Sequence, residues 1–118
     1  MSEPVLDPAV IENLRQLTPA GEPDVLAEVL ELFLQDVPQR LARLRGAYDV
    51  RDAVEMYKTA HSLKGSAGNI GADALFEVCR QLDDKSRAGD LTDVKPLIDA
   101  LDAEFKRVEV AIRQLLAG

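Results

Sequence analysis

The chain has 118 residues, 47% hydrophobic and 4% aromatic, with no tryptophan and a formal net charge of −7. That length supports one core without disulfides or a structural metal, and few aromatics beside plentiful alanine, leucine and valine predict an aliphatic, helical one. The acidic balance, with no basic stretch carrying interleaved aromatics, argues against nucleic acid, and no run nears the roughly 18 apolar residues of a membrane span.

Asp7 followed by Pro8 reads as an N-cap with proline at the first helical position. It opens a short helix with Val10, Leu14 and Leu17 that ends before Thr18 and Pro19, and the loop TPAGEP resets the chain direction. A second helix is predicted from about Asp24 to Gly46, with Leu26, Leu30, Phe33, Val37, Leu41 and Leu44 on one face. Pro38 is expected to kink or interrupt it, because proline removes a backbone donor and clashes with the preceding turn. The third helix is predicted from an N-cap at Asp49 to about Ile70, with Gly71 as its C-terminal cap. Its core stripe is Met56, Ala60, Leu63, Ala67 and Ile70.

A fourth helix, from about Ala72 to Ala88, carries Leu75, Val78, Cys79 and Leu82 and stops at Gly89. The last begins near Asp90 to Thr92 and runs to Leu116, with Val94, Leu97, Leu101, Phe105, Val108, Ile112 and Leu115 at intervals of three or four. Nowhere does a strand-like alternation persist, so the chain reads as all-α. Short turns between long helices predict an antiparallel up-and-down four-helix bundle, with the short N-terminal helix as an extra element over one end. With no repeat, linker or low-complexity run, residues 1–118 read as a single domain. The start MSEPVLDPAV has neither a basic region nor an apolar signal core, and Cys79 has no second cysteine to pair with. Both features fit a cytoplasmic protein.

The stretch AHSLKGSAGNIGA, residues 60–72, holds the only histidine, His61, with Gly65, Gly68 and Gly71. Interior helix glycines cost about 0.5–1 kcal/mol each relative to alanine. A helix advances about 100° per residue, so with Met56 at zero the core stripe lies within roughly 40°. Lys64 then falls near about 80°, Tyr57 near 100°, Gly68 near 120°, His61 near 140° and Gly65 near 180°. His61, Gly65 and Gly68 share the side facing away from the core, which disfavours a buried structural histidine and glycines that serve helix packing. An outside partner approaching the backbone beside His61 explains them, most sharply at Gly65.

One histidine and one cysteine cannot supply a zinc site. A Cys79–His61 nucleophilic pair is disfavoured because Cys79 lies on an apolar stripe. Asp83 and Asp84 read best as a solvated helix face, able to pair with Lys85 or Arg87. No glycine-rich phosphate loop follows a strand, so no nucleotide site is readable. A neutral imidazole, however, can form a covalent intermediate by itself when its partner brings the rest of the active site. Lys64, one turn on, can meet the charge of a transferred phosphoryl group, and Lys58 adds a second local cation.

The run Ala60-His61-Ser62-Leu63-Lys64-Gly65-Ser66-Ala67, followed by Ile70-Gly71-Ala72 and then Leu75, Cys79 and Leu82, resembles the histidine-containing phosphotransfer (HPt) domains of bacterial two-component phosphorelays. FLQDVP in the second helix and AGDLTDV before the last fit as well, so the resemblance spans essentially the whole chain. It implies that His61 accepts a phosphoryl group from the aspartyl phosphate of one receiver domain and passes it to another. Lys64 would stabilise that group, and Gly65, with Gly68, would give the receiver access. Some members orient the histidine with a glutamine on the following helix, near the position of Asp83; here Asp83 or water would take that role. The resemblance implies no ATP-dependent kinase activity and no cofactor or metal of the chain's own, the receiver supplying magnesium and its acidic pocket.

The implied partners are response-regulator receivers and an upstream hybrid histidine kinase, met by a monomer through the His61 face and exposed apolar residues of the first two helices. Two alternatives stand beside this reading: a non-catalytic helical adaptor that docks receivers, and the HPt segment of a larger sensor kinase. Retention of His61, Lys64 and Gly65 speaks against the first. A methionine start and an end shortly after the last helix favour a stand-alone protein over the second.

Overall fold

A computed structural model describes residues 4–118; residues 1–3, part of the N-terminal stretch read above for a signal segment, lie outside it. Five helices follow in order: α1 (Pro8–Gln16), α2 (Val25–Asp49), α3 (Ala53–Asn69), α4 (Asp73–Arg87) and α5 (Lys95–Ala117). Among the described residues there is no strand. Helices α2, α3, α4 and α5 pack in a ring, each against the next and α5 back against α2, while α1 lies against α2. The result is an antiparallel four-helix bundle with a short N-terminal addition.

The predicted stripes meet in one core. Leu30, Leu44, Met56, Ala60, Cys79, Leu82, Leu101 and Ile112 are completely buried. Phe33 and Phe105 stack at 6.1 Å between ring centroids and tie α2 to α5. On α5 the buried stripe passes through Ile98, with Leu97 only partly covered.

Several boundaries differ from the sequence expectation, each for a local reason. Asp7 caps α1 as predicted, accepting from Ala9 N at 2.9 Å. Helix α2 continues three residues beyond Gly46, because Ala47 is buried and extends the apolar stripe. Asp49 therefore belongs to the last turn of α2, and Asp52 is the N-cap of α3, accepting from Glu55 N at 3.1 Å. Between them Arg51 takes a left-handed φ of 57°, and Asp52 N donates to Ala47 O at 2.9 Å. That is a Schellman closure, with arginine where glycine is usual.

Pro38 does not interrupt α2. It lies on the exposed face, where solvent can satisfy the carbonyl freed one turn earlier, and the buried Phe33, Val37 and Leu41 hold the helix continuous. Helix α5 starts at Lys95 rather than near Thr92, since Asp90 accepts from Thr92 N in a tight turn and Asp93 adopts a φ of 59°.

Gly71 closes α3 as predicted, with φ +71° and Ala72 N donating to Ala67 O at 2.9 Å. It has a second duty. Asp7 N donates to Gly71 O at 2.8 Å, and a Cβ on residue 71 would lie 2.8 Å from Asp7 Cβ and 3.0 Å from Val10 Cβ. The α3–α4 corner thus anchors the start of α1, and only glycine fits there.

Candidate functional site

Helix α3 carries His61 outward, as the angular reading required: its side chain is 62% exposed. The apolar stripe is what turns it, since Met56, Ala60, Leu63 and Ala67 are all buried on the opposite side. Lys64, one turn later, leans toward α4 and is more covered. Lys58 is exposed on the other flank. Gly65 has open space around it; a Cβ there would meet nothing within 4 Å.

Gly68 is exposed, as the angular reading required, but a Cβ there would also reach the Phe76 ring of α4 at 3.5 and 3.6 Å, an ordinary packing distance. The α3–α4 pair is the most extensive in the bundle, which is why a position 120° from the core stripe still faces a neighbour.

Asp83 overturns the solvated-face reading more sharply. Its side chain is 3% exposed, and it binds three partners. Oδ2 lies 3.0 Å from His61 Nδ1 and 3.3 Å from Lys64 Nζ, while Oδ1 accepts from Arg87 Nη2 at 3.0 Å. Arg87 is itself held over the Tyr57 ring, 4.5 Å from its centroid. Asp84, by contrast, is exposed and pairs with Arg80 at 2.9 Å, rather than with Lys85 or Arg87. Asp83 falls four residues after Cys79 and one after Leu82, at the margin of the α4 stripe. A carboxylate at that register was the signal available in the sequence.

Burial works to raise the pKa of Asp83, but hydrogen bonds from His61, Lys64 and Arg87 more than offset it and hold the carboxyl below its ordinary range. Asp83 is therefore ionised at neutral pH and can only accept, which makes His61 Nδ1 the donor. Nε2 makes no hydrogen bond among the described residues, and the side chain that carries it is exposed.

Cys79 takes no part. Burial, and then the charge of Asp83, push its thiol up to about 12, so it remains a neutral core side chain. No group of three or more metal-ligating side chains clusters among the described residues.

On the α2 side, Arg40 Nη1 donates to Ser62 Oγ at 2.8 Å and to Ser66 Oγ at 3.0 Å. The Asp83–Arg87 pair is one the sequence offered, whereas it assigned no role to Arg40 or Tyr57. Arg40 fastens α2 to α3 at the level of His61.

A helical bundle presenting one exposed histidine, with Nδ1 tied to a buried carboxylate and a lysine and an open glycine beside it, defines a phosphotransfer module. The family model for the Hpt domain matches residues 28–111. Histidine-containing phosphotransfer protein 2 of Arabidopsis thaliana is 25% identical over 106 residues, covering 87% of this chain and 68% of that protein. Phosphorelay protein LuxU of Vibrio vulnificus is 31% identical over 94 residues, covering 76% of this chain and 82% of its own. The crystal structure of histidine-containing phosphotransfer protein B from Pseudomonas aeruginosa superposes with a TM-score of 0.88 at 33% identity, covering 96% and 95% of the two chains. The chain belongs to the Hpt domain family, and its function is histidine phosphotransfer in a two-component phosphorelay.

Proposed function

We propose that His61 is the residue that carries the phosphoryl group, taking it from the aspartyl phosphate of one receiver domain and delivering it to the aspartate of another. The carrying observation is the contact between Asp83 and His61 Nδ1, which leaves Nε2 outward as the nucleophile. In the forward step the Nε2 lone pair forms the N–P bond while the acyl P–O bond breaks and the receiver carboxylate leaves. The reverse step regenerates an aspartyl phosphate on the next receiver. Such in-line transfer is accelerated mainly by positioning and by stabilising charge on the transferring oxygens.

Each neighbour has a part in this reading. Asp83 holds the ring and its tautomer, Lys64 lies one turn from the transferring group, and Gly65 leaves room for the receiver to come close. The receiver brings magnesium and its acidic pocket, and this chain contributes no cofactor and no ATP-dependent kinase activity. A hybrid histidine kinase supplies the phosphoryl group upstream, and the chain acts as a monomer in the cytoplasm. In support of the last point, no helix among the described residues is long and apolar enough to cross a membrane.

The test mixes the protein with a phosphorylated receiver and magnesium and follows transfer of label. The expected result is acid-labile, base-stable label on the wild type and none on His61→Gln. Equal labelling of both would show that the phosphoryl group is carried elsewhere.

A further inference from the structure

Two one-turn spacings face each other across α3 and α4. On α3, Tyr57 precedes His61 by four residues; on α4, Asp83 precedes Arg87 by four. Residues four apart lie one above the other on a helix, so four such side chains can close into a ring. They do. Arg87 Cζ lies 4.5 Å from the centroid of the Tyr57 ring, Arg87 Nη2 donates to Asp83 Oδ1 at 3.0 Å, and Asp83 Oδ2 meets His61 Nδ1 at 3.0 Å. The ring crosses between the helices twice, at an imidazole end and at an aromatic end.

Only the imidazole end carries chemistry, and the aromatic end answers a mechanical need. A carboxylate turns on a soft sp³–sp² torsion, so one bond from Oδ2 leaves its plane free to tip. Oδ2 is also contested, with Lys64 Nζ at 3.3 Å beside the imidazole. A tip toward the lysine lengthens the bond to Nδ1. Arg87 opposes this by taking Oδ1, which fixes the second oxygen and with it the plane. Between two exposed residues such a pair would be worth little, but the side chain of Asp83 is 3% exposed, where water does not replace a lost partner. Arg87 alone is a poor anchor, because its side chain is 53% exposed and a long flexible chain resists being held in one place. Tyr57 supplies the seat: a flat, half-buried, electron-rich face under the guanidinium.

We infer that Arg87, seated on Tyr57, is a positioning residue for phosphotransfer, acting through Asp83 to keep Oδ2 aimed at His61 Nδ1. This rests on the phosphotransfer reading above and extends the site by two residues, one on each helix. Neither belongs to the buried core, so both can be replaced without opening it.

The experiment measures single-turnover transfer from a phosphorylated receiver, at rising receiver concentration, for the full chain and for Arg87→Met, Tyr57→Leu and Tyr57→Phe. Arg87→Met is repeated in an Asp83→Ala background, and the nitrogen NMR spectrum of the His61 ring is recorded without receiver. Arg87→Met should lower the saturating rate by about fivefold to tenfold and leave the half-saturating receiver concentration within about twofold. Tyr57→Leu should shift the rate the same way by a smaller factor, and Tyr57→Phe, which keeps the aromatic face, should recover it. In the Asp83→Ala background Arg87→Met should cost less than about twofold, since residues linked in one chain of contacts are not additive. The ring spectrum should show the proton on Nδ1 in the wild type and a mixture of tautomers in Arg87→Met. A wild-type saturating rate in Arg87→Met overturns the inference, as does an unchanged ring spectrum. So does an equal fall in both backgrounds, or a rise in the half-saturating concentration alone, either of which would place Arg87 on the phosphoryl group or on the receiver. Tyr57→Phe as slow as Tyr57→Leu would overturn the part given to the aromatic face. Absence of any label on the wild type would instead defeat the phosphotransfer reading, while the ring spectrum would still test the positioning.

Discussion

Asp83 Oδ2 lies 3.0 Å from His61 Nδ1, so a buried carboxylate on α4 engages one ring nitrogen of the α3 histidine and leaves the other without a partner. Asp83→Ala removes that constraint and lets the ring turn and change tautomer. Single-turnover transfer from a phosphorylated receiver should slow by about tenfold to a hundredfold, the scale of misplacing a reacting group by an ångström. Asp83→Asn keeps the shape and one acceptor and should fall between wild type and Asp83→Ala. If Asp83→Ala transfers at the wild-type rate, the ring is held by something else.

The same carboxylate should leave a mark on acid stability. Its pKa is lowered in the folded protein, against an unfolded value of about 3.9. A group of that sign contributes stability that is fully present above the unfolded pKa and lost as pH falls through the folded one. Urea midpoints of wild type and Asp83→Asn should therefore differ most above about pH 5 and converge as pH is lowered toward about pH 2. A difference constant across that range would mean that Asp83 acts through packing alone.

Gly65 separates helix stability from access. Alanine at this position meets nothing and should stabilise α3 by about 0.5–1 kcal/mol in chemical denaturation. Glutamine should leave the fold equally sound while slowing transfer by about tenfold or more, through obstruction of the close approach that transfer needs. Gly68→Leu should behave in the opposite sense, disturbing the Phe76 contact and lowering the denaturation midpoint.

Gly71→Ala combines two penalties. Its φ of +71° is unfavourable for an L side chain, and the added Cβ would press against Asp7 and Val10. A loss of about 2 kcal/mol or more is expected in urea denaturation. Faster amide exchange in α1 should accompany it, because the bond from Asp7 N to Gly71 O would be displaced.

Helical periodicity made the stripes readable, and with them the outward direction of His61, because burial at positions such as Met56, Ala60 and Leu63 leaves α3 only one orientation. Asp7-Pro8 and Gly71 were legible for a similar reason: their backbone requirements are written into residue type. The α2–α3 junction was not, since Arg51 takes the left-handed position that glycine usually marks and nothing in its side chain announces it. The resemblance offered Asp83 as a partner of the histidine, but residue type alone set it on a solvated face, because a carboxylate is ordinarily solvated and its burial depends on Lys64 and His61 arriving from another helix, 19 and 22 residues earlier in the sequence. Gly68 is exposed as its angle predicts, but angle on one helix says nothing of how near Phe76 of the next will come.

The two oxygens of Asp83 are not equivalent. Oδ2 is shared by His61 and Lys64, whereas Oδ1 has Arg87, steadied by Tyr57, to itself. Should Lys64 turn away to meet a new anion on His61 Nε2, the carboxylate would still hold a cation and would not be stranded in the protein interior. On that account Lys64 would be a spare positive charge, free to be redeployed because Arg87 already guards the position it leaves.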